Sequence, residues 1–297
     1  MNSMLLLGLT VAALQKPPQG WELRADLQTS LPESIRILQR EDTRLPLRAW
    51  LVEARPDKSW RPEASVPAKG LRTTTRQAGD LQALVAINAG FFSSSGSVSV
   101  VIDEGKLVAK GVSSVQRESF THPLTRAAIG FDTQGRADCA WIWCADNLLY
   151  ALDEPLPNAP GKPAQAPAKL PKQAWVMDEV LGGGPMLVSD GKRRITEQEE
   201  CFQSIGGETR HPRTAAGYAK DGRLLLLVVD GRSKRSRGAT LNEAAEMLLA
   251  FGAQEALNLD GGGSTTLVVR EKVVNEPCDV TGERPVASVL ALVSNSK

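Results

Sequence analysis

The sequence predicts an α+β fold built mostly from antiparallel sheet, with few helices and a single domain. Short apolar runs rich in Val, Ile and Leu recur along the chain, and glycine-containing turns separate them. Asp221-Gly222 between two such runs is a strong two-residue hairpin signal. Only residues 240–251 carry a convincing helical pattern, so strands dominate the prediction.

The first half of the chain predicts strands joined by turns and loops. Hairpins are predicted at residues 98–102 with 106–110 and at 126–131 with 137–143. Strands or apolar runs are predicted at residues 35–38, 45–53, 81–87, 175–180 and 186–189. The proline-rich residues 56–67 and 155–171 predict exposed loops, and the polar residues 192–209 predict a loop or a short helix.

The second half gives clearer signals. The two strands of the predicted hairpin, residues 214–219 and 223–229, flank Asp221-Gly222. In the predicted helix, Thr240 and Glu243 form a capping box, and Gly252 follows as a stop signal. Its apolar stripe consists of Leu241, Ala244, Ala245, Leu248 and Leu249. Residues 255–260, 265–270 and 287–293 complete the predicted strands.

The composition excludes several functional classes. The chain has 297 residues, of which 42% are hydrophobic and 23% are charged, as in soluble globular proteins. A net charge of +1 gives no electrostatic argument for nucleic acid or an anionic membrane. Aromatic residues make up only 5% of the chain, which weakens any function based on base stacking. The oligomeric state stays open.

The N-terminal residues 4–14 (MLLLGLTVAAL) resemble the apolar region of a signal peptide and are too short for an integral membrane segment. Val11-Ala12-Ala13 is a candidate cleavage site, although no Lys or Arg precedes the run. We therefore favour export to the periplasm or the exterior over a frayed start. The predicted organisation is a leader over residues 1–20, N-terminal strands and a loop over 21–80, and a main domain over 81–297.

The four cysteines are Cys139, Cys144, Cys201 and Cys278. They include no CxxC pair, and the chain has only two histidines, so a structural zinc site is not indicated. An even number of cysteines suits disulfides in an exported protein, and Cys139 and Cys144 could bridge a bulge or turn. Four free buried thiols are the alternative.

The most informative stretch is residues 256–266, ALNLDGGGSTT. In a strand, Asn258 and Asp260 project from the same face, and the glycines that follow let a ligand approach the backbone. A plain tight turn is the alternative. A phosphate-binding loop is excluded because no lysine is present, and a dinucleotide site because a strand-like run follows the glycines.

Further polar motifs lie where apolar strands end. They are Asn88, Arg213-Thr214, Asp230-Gly231-Arg232, Asn258-Leu259-Asp260 and Glu283-Arg284-Pro285. Loops at strand ends are the places where proteins build binding and catalytic sites. This repeated placement favours a functional site over a set of unrelated turns.

Taken together, these segments resemble the phosphodiester glycosidase family. The matching stretches, in the order of the family, are residues 88–92 (NAGFF), 182–188 (GGGPMLV), 211–217 (HPRTAAG), 221–232, 240–266 and 283–292 (ERPVASVLAL). They span residues 80–297, whereas residues 20–80 match nothing. The resemblance implies hydrolysis of a sugar-1-phosphodiester, in a small molecule or a cell-wall or capsule glycopolymer, that releases a sugar and a phosphomonoester.

Glycosidic cleavage needs an acid for the leaving oxygen and a base or nucleophile for the anomeric carbon. The catalytic candidates are Asp260, Asp230 and Glu283, with Asp260 first because the glycine loop exposes it. Which of them is acid and which is base stays open. Calcium or magnesium is a candidate cofactor, since Asp230, Asn258 and Asp260 are all oxygen donors.

Arginine recognises a phosphodiester through its planar fork, so Arg213, Arg232 and Arg284 are candidate clamps, with surface ion pairs as the alternative. Asn88 and Asn258 could bind sugar hydroxyls or orient a carboxylate, or they could be buried amides that close turns. The remaining substrate-binding candidates are Gly90, Phe91, His211, Thr214, Gly261, Gly262, Gly263, Ser264 and Thr265. An ordinary glycoside hydrolase and a non-catalytic glycan-binding module are the competing functions.

Overall fold

The computed structural model describes residues 16–171, 173–203 and 205–295. Strands dominate the described chain. Those before residue 150 are β1 (Glu22–Leu23), β2 (Ile35–Asp42), β3 (Leu47–Ala54), β4 (Trp60–Ser65), β5 (Ala83–Asn88), β6 (Phe92–Ser93), β7 (Gly96–Ser97), β8 (Val100–Asp103), β9 (Lys106–Lys110), β10 (Ser114–Arg117), β11 (Phe120–Pro123), β12 (Arg126–Phe131), β13 (Ala137–Ala145) and β14 (Leu148–Leu152).

The later strands are β15 (Glu179–Gly182), β16 (Met186–Ser189), β17 (Lys192–Arg193), β18 (Arg213–Ala219), β19 (Leu224–Val229), β20 (Ala253–Asn258), β21 (Leu267–Val269), β22 (Lys272–Val273) and β23 (Val289–Ser294). The helices of the described chain are α1 (Ala25–Gln28), α2 (Thr74–Asp80) and α3 (Leu241–Ala250), together with a short 3₁₀ turn at Gly262–Ser264. The predicted predominance of antiparallel sheet over helix is confirmed.

The largest sheet has eight strands in the order β1-β2-β3-β19-β18-β20-β16-β17. Its central strands are buried on both faces, which explains the unbroken apolar run of β19. Alternate residues of β3 belong to different cores. Trp50 and Val52 pack toward the other sheets, whereas Ala49 and Leu51 pack on the side of α3.

Two further sheets complete the core. Five strands follow the order β22-β21-β5-β23-β4, and six strands follow the order β14-β13-β12-β15-β8-β9. Apolar side chains from all three sheets share one cluster, represented by Ile37, Ile87, Ile129 and Leu257. The shared core brings the end of β20 and the starts of β18 and β12 into one region, and the candidate site lies there.

The strongest local signals of the sequence give the expected elements. Asp221-Gly222 turns β18 into β19, and the capping box of Thr240 and Glu243 begins α3. The predicted hairpins at β8–β9 and β12–β13 are also confirmed. The loop predicted over residues 56–67 is wrong in its second half, because β4 forms there and pairs with β23 at the edge of its sheet. The α2 helix was not predicted.

The cysteines are free thiols in the structure, which corrects the predicted disulfides. Cys139 and Cys144 both lie on β13, five residues apart. An odd separation in a strand places the two side chains on opposite faces, and five steps of about 3.3 Å put their Cα atoms about 16 Å apart. That separation is too large for a disulfide bridge.

Residues 1–15 of the predicted leader lie outside the described residues. Pro18 and Gln19 of that leader line a cavity beside α3. Trp21, just after the leader, packs edge-on against Phe251 at 5.2 Å between ring centroids. The strands predicted over residues 21–80 belong to the same sheets as the later ones. In the described part of the chain, no helix is long and apolar enough to cross a membrane.

Candidate active site

The glycine-rich segment forms a tight loop between β20 and β21. The Asp260 N–H donates to the Ala89 carbonyl at 2.9 Å, and the Gly262 N–H donates to the Pro212 carbonyl at 3.0 Å. Gly262 has a φ of +61°, which side chains rarely adopt, and a Cβ at Gly263 would collide with the guanidinium of Arg284. The glycines therefore let Arg284 approach the backbone next to Asp260.

Asn88 lies beneath this loop and is completely buried. Its amide nitrogen donates to the Asp260 carbonyl at 2.6 Å, and its oxygen accepts from the Thr214 hydroxyl at 2.7 Å and from the Thr266 N–H at 3.1 Å. These three bonds tie β5 to the start of β18 and to the end of the loop. Asn88 and Thr214 thus support the site from below and do not line its cavity.

The Asp260 carboxylate faces a cavity of about 390 Å³. The Gly261 N–H donates to its Oδ1 at 3.0 Å. Burial raises the pKa of Asp260 to about 6, against the opposing effects of the Ser264 hydroxyl, the Arg284 charge and the Gly261 N–H. A carboxyl with this pKa can exchange a proton near neutral pH.

The cavity is strongly cationic. Asp260 is the sole carboxylate in its described lining, whereas five arginines contribute to it. The lining residues are Phe91, Arg117, Arg126, Phe202, Gln203, Ile205, His211, Pro212, Arg213, Arg232, Asn258, Asp260, Gly261, Gly262, Gly263 and Arg284. This balance of charge suits an anionic ligand that reaches one carboxylate.

Arg284 and Arg232 flank the glycine loop. Asp279 holds Arg284 in a bidentate ion pair at 2.7 and 3.0 Å. Arg232 donates to Nδ1 of His211 at 3.4 Å, and the other ring nitrogen of His211 lies 2.7 Å from the Thr209 hydroxyl. Burial and the charges of Arg213 and Arg232 lower the pKa of His211, so this imidazole is neutral at pH 7 and accepts from Arg232.

Arg213 has a different environment from the other two predicted clamps. Its side chain is 2% exposed and donates to the carbonyls of Ala239, Ile205, Gly206 and Thr209 at 2.8–3.0 Å. Desolvation by burial lowers its pKa to about 10, so it remains charged at neutral pH. Because these four bonds commit most of its N–H groups, Arg213 fixes the loop over residues 205–209 and leaves at most one N–H for a ligand.

Asn258 lines the cavity but is otherwise held by backbone. Its amide nitrogen donates to the carbonyls of Gly184 at 3.0 Å and Leu259 at 2.6 Å. Its side-chain oxygen is buried and has no hydrogen-bond partner among the described residues. This buried oxygen lies beside the cavity and is left for a bound water or ligand hydroxyl to satisfy.

Asp230, the second predicted catalytic candidate, lies outside the cavity lining. Its carboxylate accepts from the Asn275 amide at 3.0 Å and the Glu276 N–H at 2.9 Å, and Arg48 lies 3.5 Å away. Burial raises the pKa of Asp230 to about 6. Asn275 also donates to the Thr265 carbonyl, so this group supports the glycine loop from behind.

Glu283 is likewise engaged elsewhere. Its carboxylate accepts from the backbone N–H of Thr75 at 2.7 Å and from the Thr75 hydroxyl at 2.6 Å, in the first turn of α2. A carboxylate at a helix N-terminus satisfies free N–H groups and interacts favourably with the helix dipole. Glu283 therefore anchors α2 and does not line the cavity.

The remaining predicted residues divide between the lining and its support. Phe91, His211, Gly261, Gly262 and Gly263 line the cavity, whereas Gly90, Ser264 and Thr265 are buried around it. Asp230, Asn258 and Asp260 do not converge as a donor set, because Asp230 faces Asn275. Among the described residues, no group of three or more His, Cys, Asp or Glu side chains is arranged to hold a metal ion.

Sequence reasoning missed Arg117, Arg126 and Phe202. The Cζ atom of Arg126 lies 4.0 Å from the centroid of the Phe202 ring, which lies 5.3 Å from the ring of Phe91. One local signal was available, since Arg126 begins β12 in the same way that Arg213 begins β18.

Comparison with known proteins identifies the family of the chain. The family model described as phosphodiester glycosidase matches residues 81–293, and the chain belongs to this family. The chain is 38% identical over 110 residues to the bovine N-acetylglucosamine-1-phosphodiester alpha-N-acetylglucosaminidase and 36% identical to the human protein. These matches cover 34% of this chain and 21% of either relative.

Solved structures show the same fold. The catalytic domain of the zebrafish N-acetylglucosamine-1-phosphodiester alpha-N-acetylglucosaminidase has a TM-score of 0.64 and 21% identity, over 92% of this chain and 88% of that one. A protein from Burkholderia pseudomallei described as exported has a TM-score of 0.57 and 17% identity, over 89% of this chain and 75% of that one.

Proposed function

We propose that this protein hydrolyses the bond between the anomeric carbon and the phosphate of a sugar-1-phosphodiester, releasing a free sugar and a phosphomonoester. The observation that carries the proposal is the composition of the cavity lining, with five arginines and one carboxylate, Asp260. The arginines suit the phosphate, and the carboxylate suits the anomeric carbon. Membership of the phosphodiester glycosidase family supports the same reaction.

In the proposed mechanism, Asp260 acts as a general base. It takes a proton from water while the water oxygen forms a bond to the anomeric carbon. The bond between that carbon and the phosphate oxygen breaks, and its electron pair leaves with the phosphate. The phosphomonoester gains one negative charge, which Arg232 and Arg284 stabilise as it develops. A single displacement of this kind inverts the anomeric configuration.

A single carboxylate is sufficient for this reaction because a phosphomonoester leaves without prior protonation. An ordinary glycosidase, in contrast, needs a second carboxyl group about 5–9.5 Å from the first to protonate the leaving oxygen of the glycosidic bond. Asp230 and Glu283 were candidates for that second group, but both are bound elsewhere in the structure. The described lining therefore favours the phosphodiester over the ordinary glycoside.

A substrate panel tests the proposal. Sugar-1-phosphodiesters and aryl glycosides are assayed with the wild type, with Asp260→Asn and with Glu283→Gln. Glu283→Gln is the control, because it also replaces one carboxylate by an amide but lies outside the cavity. Cleavage of the diesters alone, abolished by Asp260→Asn and kept by Glu283→Gln, is the expected result. Cleavage of the aryl glycosides alone would indicate an ordinary glycosidase, and binding without turnover a glycan-binding module. The same assays with a chelator test calcium or magnesium as a cofactor.

We also infer that the protein is exported and acts on carbohydrate outside the cytoplasm. The signal-like residues 4–14 and the structural neighbour described as exported support this location. Fractionation of the producing cells, with N-terminal sequencing of the mature protein, tests the inference. A mature N-terminus between residues 13 and 20 in an exported fraction would support it, and an intact Met1 in the cytoplasm would contradict it.

A further inference from the structure

One side of the cavity, formed by Arg117, Arg126, Phe91 and Phe202, takes no part in the proposed chemistry. Arg126 stacks on the Phe202 ring, and Arg117 donates to the Cys201 carbonyl at 3.0 Å. The segment over residues 201–203 thus brings the two guanidinium groups to the same wall. In the described chain, no hydrogen bond or ring contact joins these residues to Asp260, Arg232 or Arg284.

These two arginines lack the partners that usually neutralise a semi-buried guanidinium. Among the described residues neither forms an ion pair, and the Nε atoms of both are buried without a hydrogen-bond acceptor. Burial lowers the pKa of Arg126, the Glu200 charge opposes this shift, and the Arg117 charge adds to it, so the two like charges lie near one another. Such an arrangement is costly unless an anion occupies the space between the charges.

Glu200, the carboxylate whose charge acts on Arg126, is already committed to the protein. It is completely buried, and it accepts hydrogen bonds from Ala127, Trp141, Met186 and Thr196. It therefore fixes the wall behind Arg126 and does not extend into the cavity as a partner for a ligand-facing guanidinium. The N–H groups of Arg126 remain available on the cavity side.

The contact with Phe202 determines what Arg126 can bind. A guanidinium held over an aromatic ring keeps N–H groups that can make two parallel hydrogen bonds to a phosphate or carboxylate. Arg117 adds a second charge, and Phe91 and Phe202 exclude water from one side. Desolvated, charge-assisted bonds of this kind are stronger than those of exposed arginines.

We propose that Arg117 and Arg126 form a second anion subsite, which binds another phosphate group of the same substrate. The substrate class is then a sugar-1-phosphodiester whose aglycone carries a further phosphate, as a diester in a repeating polymer or as a terminal monoester. This inference rests on the proposed function. Arg232 and Arg284 bind the phosphate that is cleaved, and Arg117 and Arg126 bind the one that is kept.

Three matched diesters test the subsite. They share one sugar and a glycerol aglycone that is unmodified, terminally phosphorylated, or phosphorylated and capped as a methyl ester. The wild type should prefer the phosphorylated aglycone by about tenfold in kcat/KM. Arg126→Gln should reduce this preference to about threefold or less, mainly through KM. Arg136→Gln, on an exposed turn after the same strand, is the matched control and should keep it.

The outcomes separate the alternatives. If the wild type also prefers the diester with the capped phosphate, the subsite binds a phosphodiester of a polymer. If it prefers only the diester with the free terminal phosphate, the subsite binds a terminal monoester. Equal wild-type rates on all three diesters would overturn the subsite. An equal loss on all three with Arg126→Gln would overturn it as well, because Arg126 would then hold the cleaved phosphate.

A binding experiment keeps the subsite testable if the proposed reaction fails. Calorimetric titration compares glycerol 1-phosphate with glycerol 1,3-bisphosphate, neither of which requires turnover. The bisphosphate should bind the wild type about tenfold more tightly, and Arg126→Gln should reduce the difference to about threefold or less. Equal affinity of the wild type for both probes would contradict the subsite independently of any activity.

Discussion

The backbone carbonyl of Asp260 accepts a hydrogen bond of 2.6 Å from the side-chain amide of Asn88, which lies 172 residues earlier in the chain. The same amide binds Thr214 and the N–H of Thr266. The catalytic candidate is therefore held by a buried group on another strand as well as by its own loop. Preorganisation of this kind keeps a reacting group in place without cost at the moment of reaction.

Asn88→Ala should destabilise the protein and impair catalysis together. The change leaves the Thr214 hydroxyl, the Thr266 N–H and the Asp260 carbonyl without this partner in a buried region, at a cost of about 3–5 kcal/mol in the free energy of unfolding. Thr214→Val removes only one bond and should cost about 1 kcal/mol. Chemical denaturation measures both, and an Asn88→Ala protein as stable as the wild type would contradict the supporting role.

Asp260→Asn should stabilise the protein above pH 6. Burial raises the pKa of Asp260 from 3.8 to about 6, so the folded state holds the proton more tightly than the unfolded state. Stability therefore falls as the pH rises through this interval, by at most about 3 kcal/mol, and the neutral amide avoids that cost. Denaturation at pH 4 and pH 8 should show a gain only at pH 8. A gain of the same size at both values would rule out this cause.

The rate should depend on the ionisation of Asp260. If the carboxylate is the base, kcat/KM rises with pH through about 6 and then levels off. Asp230 has a similar raised pKa of about 6, so Asp230→Asn is the necessary control and should keep the same acidic limb. Loss of that limb in Asp230→Asn would move the assignment from Asp260 to Asp230.

Two lysine substitutions distinguish an arginine that binds the substrate from one that supports the structure of the site. Arg232→Lys should raise KM for the diester about tenfold without changing thermal stability, because a point charge loses the fork. Arg213→Lys should instead lower the free energy of unfolding by about 2–4 kcal/mol, because the guanidinium holds four backbone carbonyls. Thermal unfolding and steady-state kinetics of both variants check the assignment, which a reversed pattern would contradict.

Glu283→Gln should change stability more than activity. The carboxylate anchors the first turn of α2 through Thr75, and loss of its charge should cost about 1 kcal/mol. We expect kcat/KM to stay within about threefold of the wild type, since the side chain does not line the cavity. A loss of a hundredfold or more would restore Glu283 as a catalytic candidate.

Sequence signals that act over a few residues predicted the fold well. The turn at Asp221-Gly222 and the capping box of Thr240 depend on neighbouring groups alone, and both are present. The strand β4 escaped prediction because Pro62 within it, and Pro56 and Pro67 around it, indicate a loop. Pro62 is tolerated there because β4 is an edge strand, where a missing N–H leaves no gap in the sheet.

The site was predictable only where the loop itself carries the chemistry. Asp260 and the glycines occupy one short segment, so their convergence is local. The partners of Asp230 and Glu283 lie 45 and 208 residues away, and no local sequence pattern near either residue predicts them. Arg117 lies on β10 of a two-stranded sheet and Arg126 on β12 of the six-stranded sheet. Both reach the cavity through tertiary packing, which a local pattern does not encode.

The most direct test is to run the reaction on a sugar-1-phosphodiester in water labelled with heavy oxygen and to locate the label by mass spectrometry. Attack on the anomeric carbon places the label in the released sugar and none in the phosphomonoester, and Asp260→Asn forms neither product. Label in the phosphomonoester would show that the phosphorus–oxygen bond breaks. The protein would then be a phosphodiesterase, and the assignment of Asp260 to the anomeric carbon would be wrong.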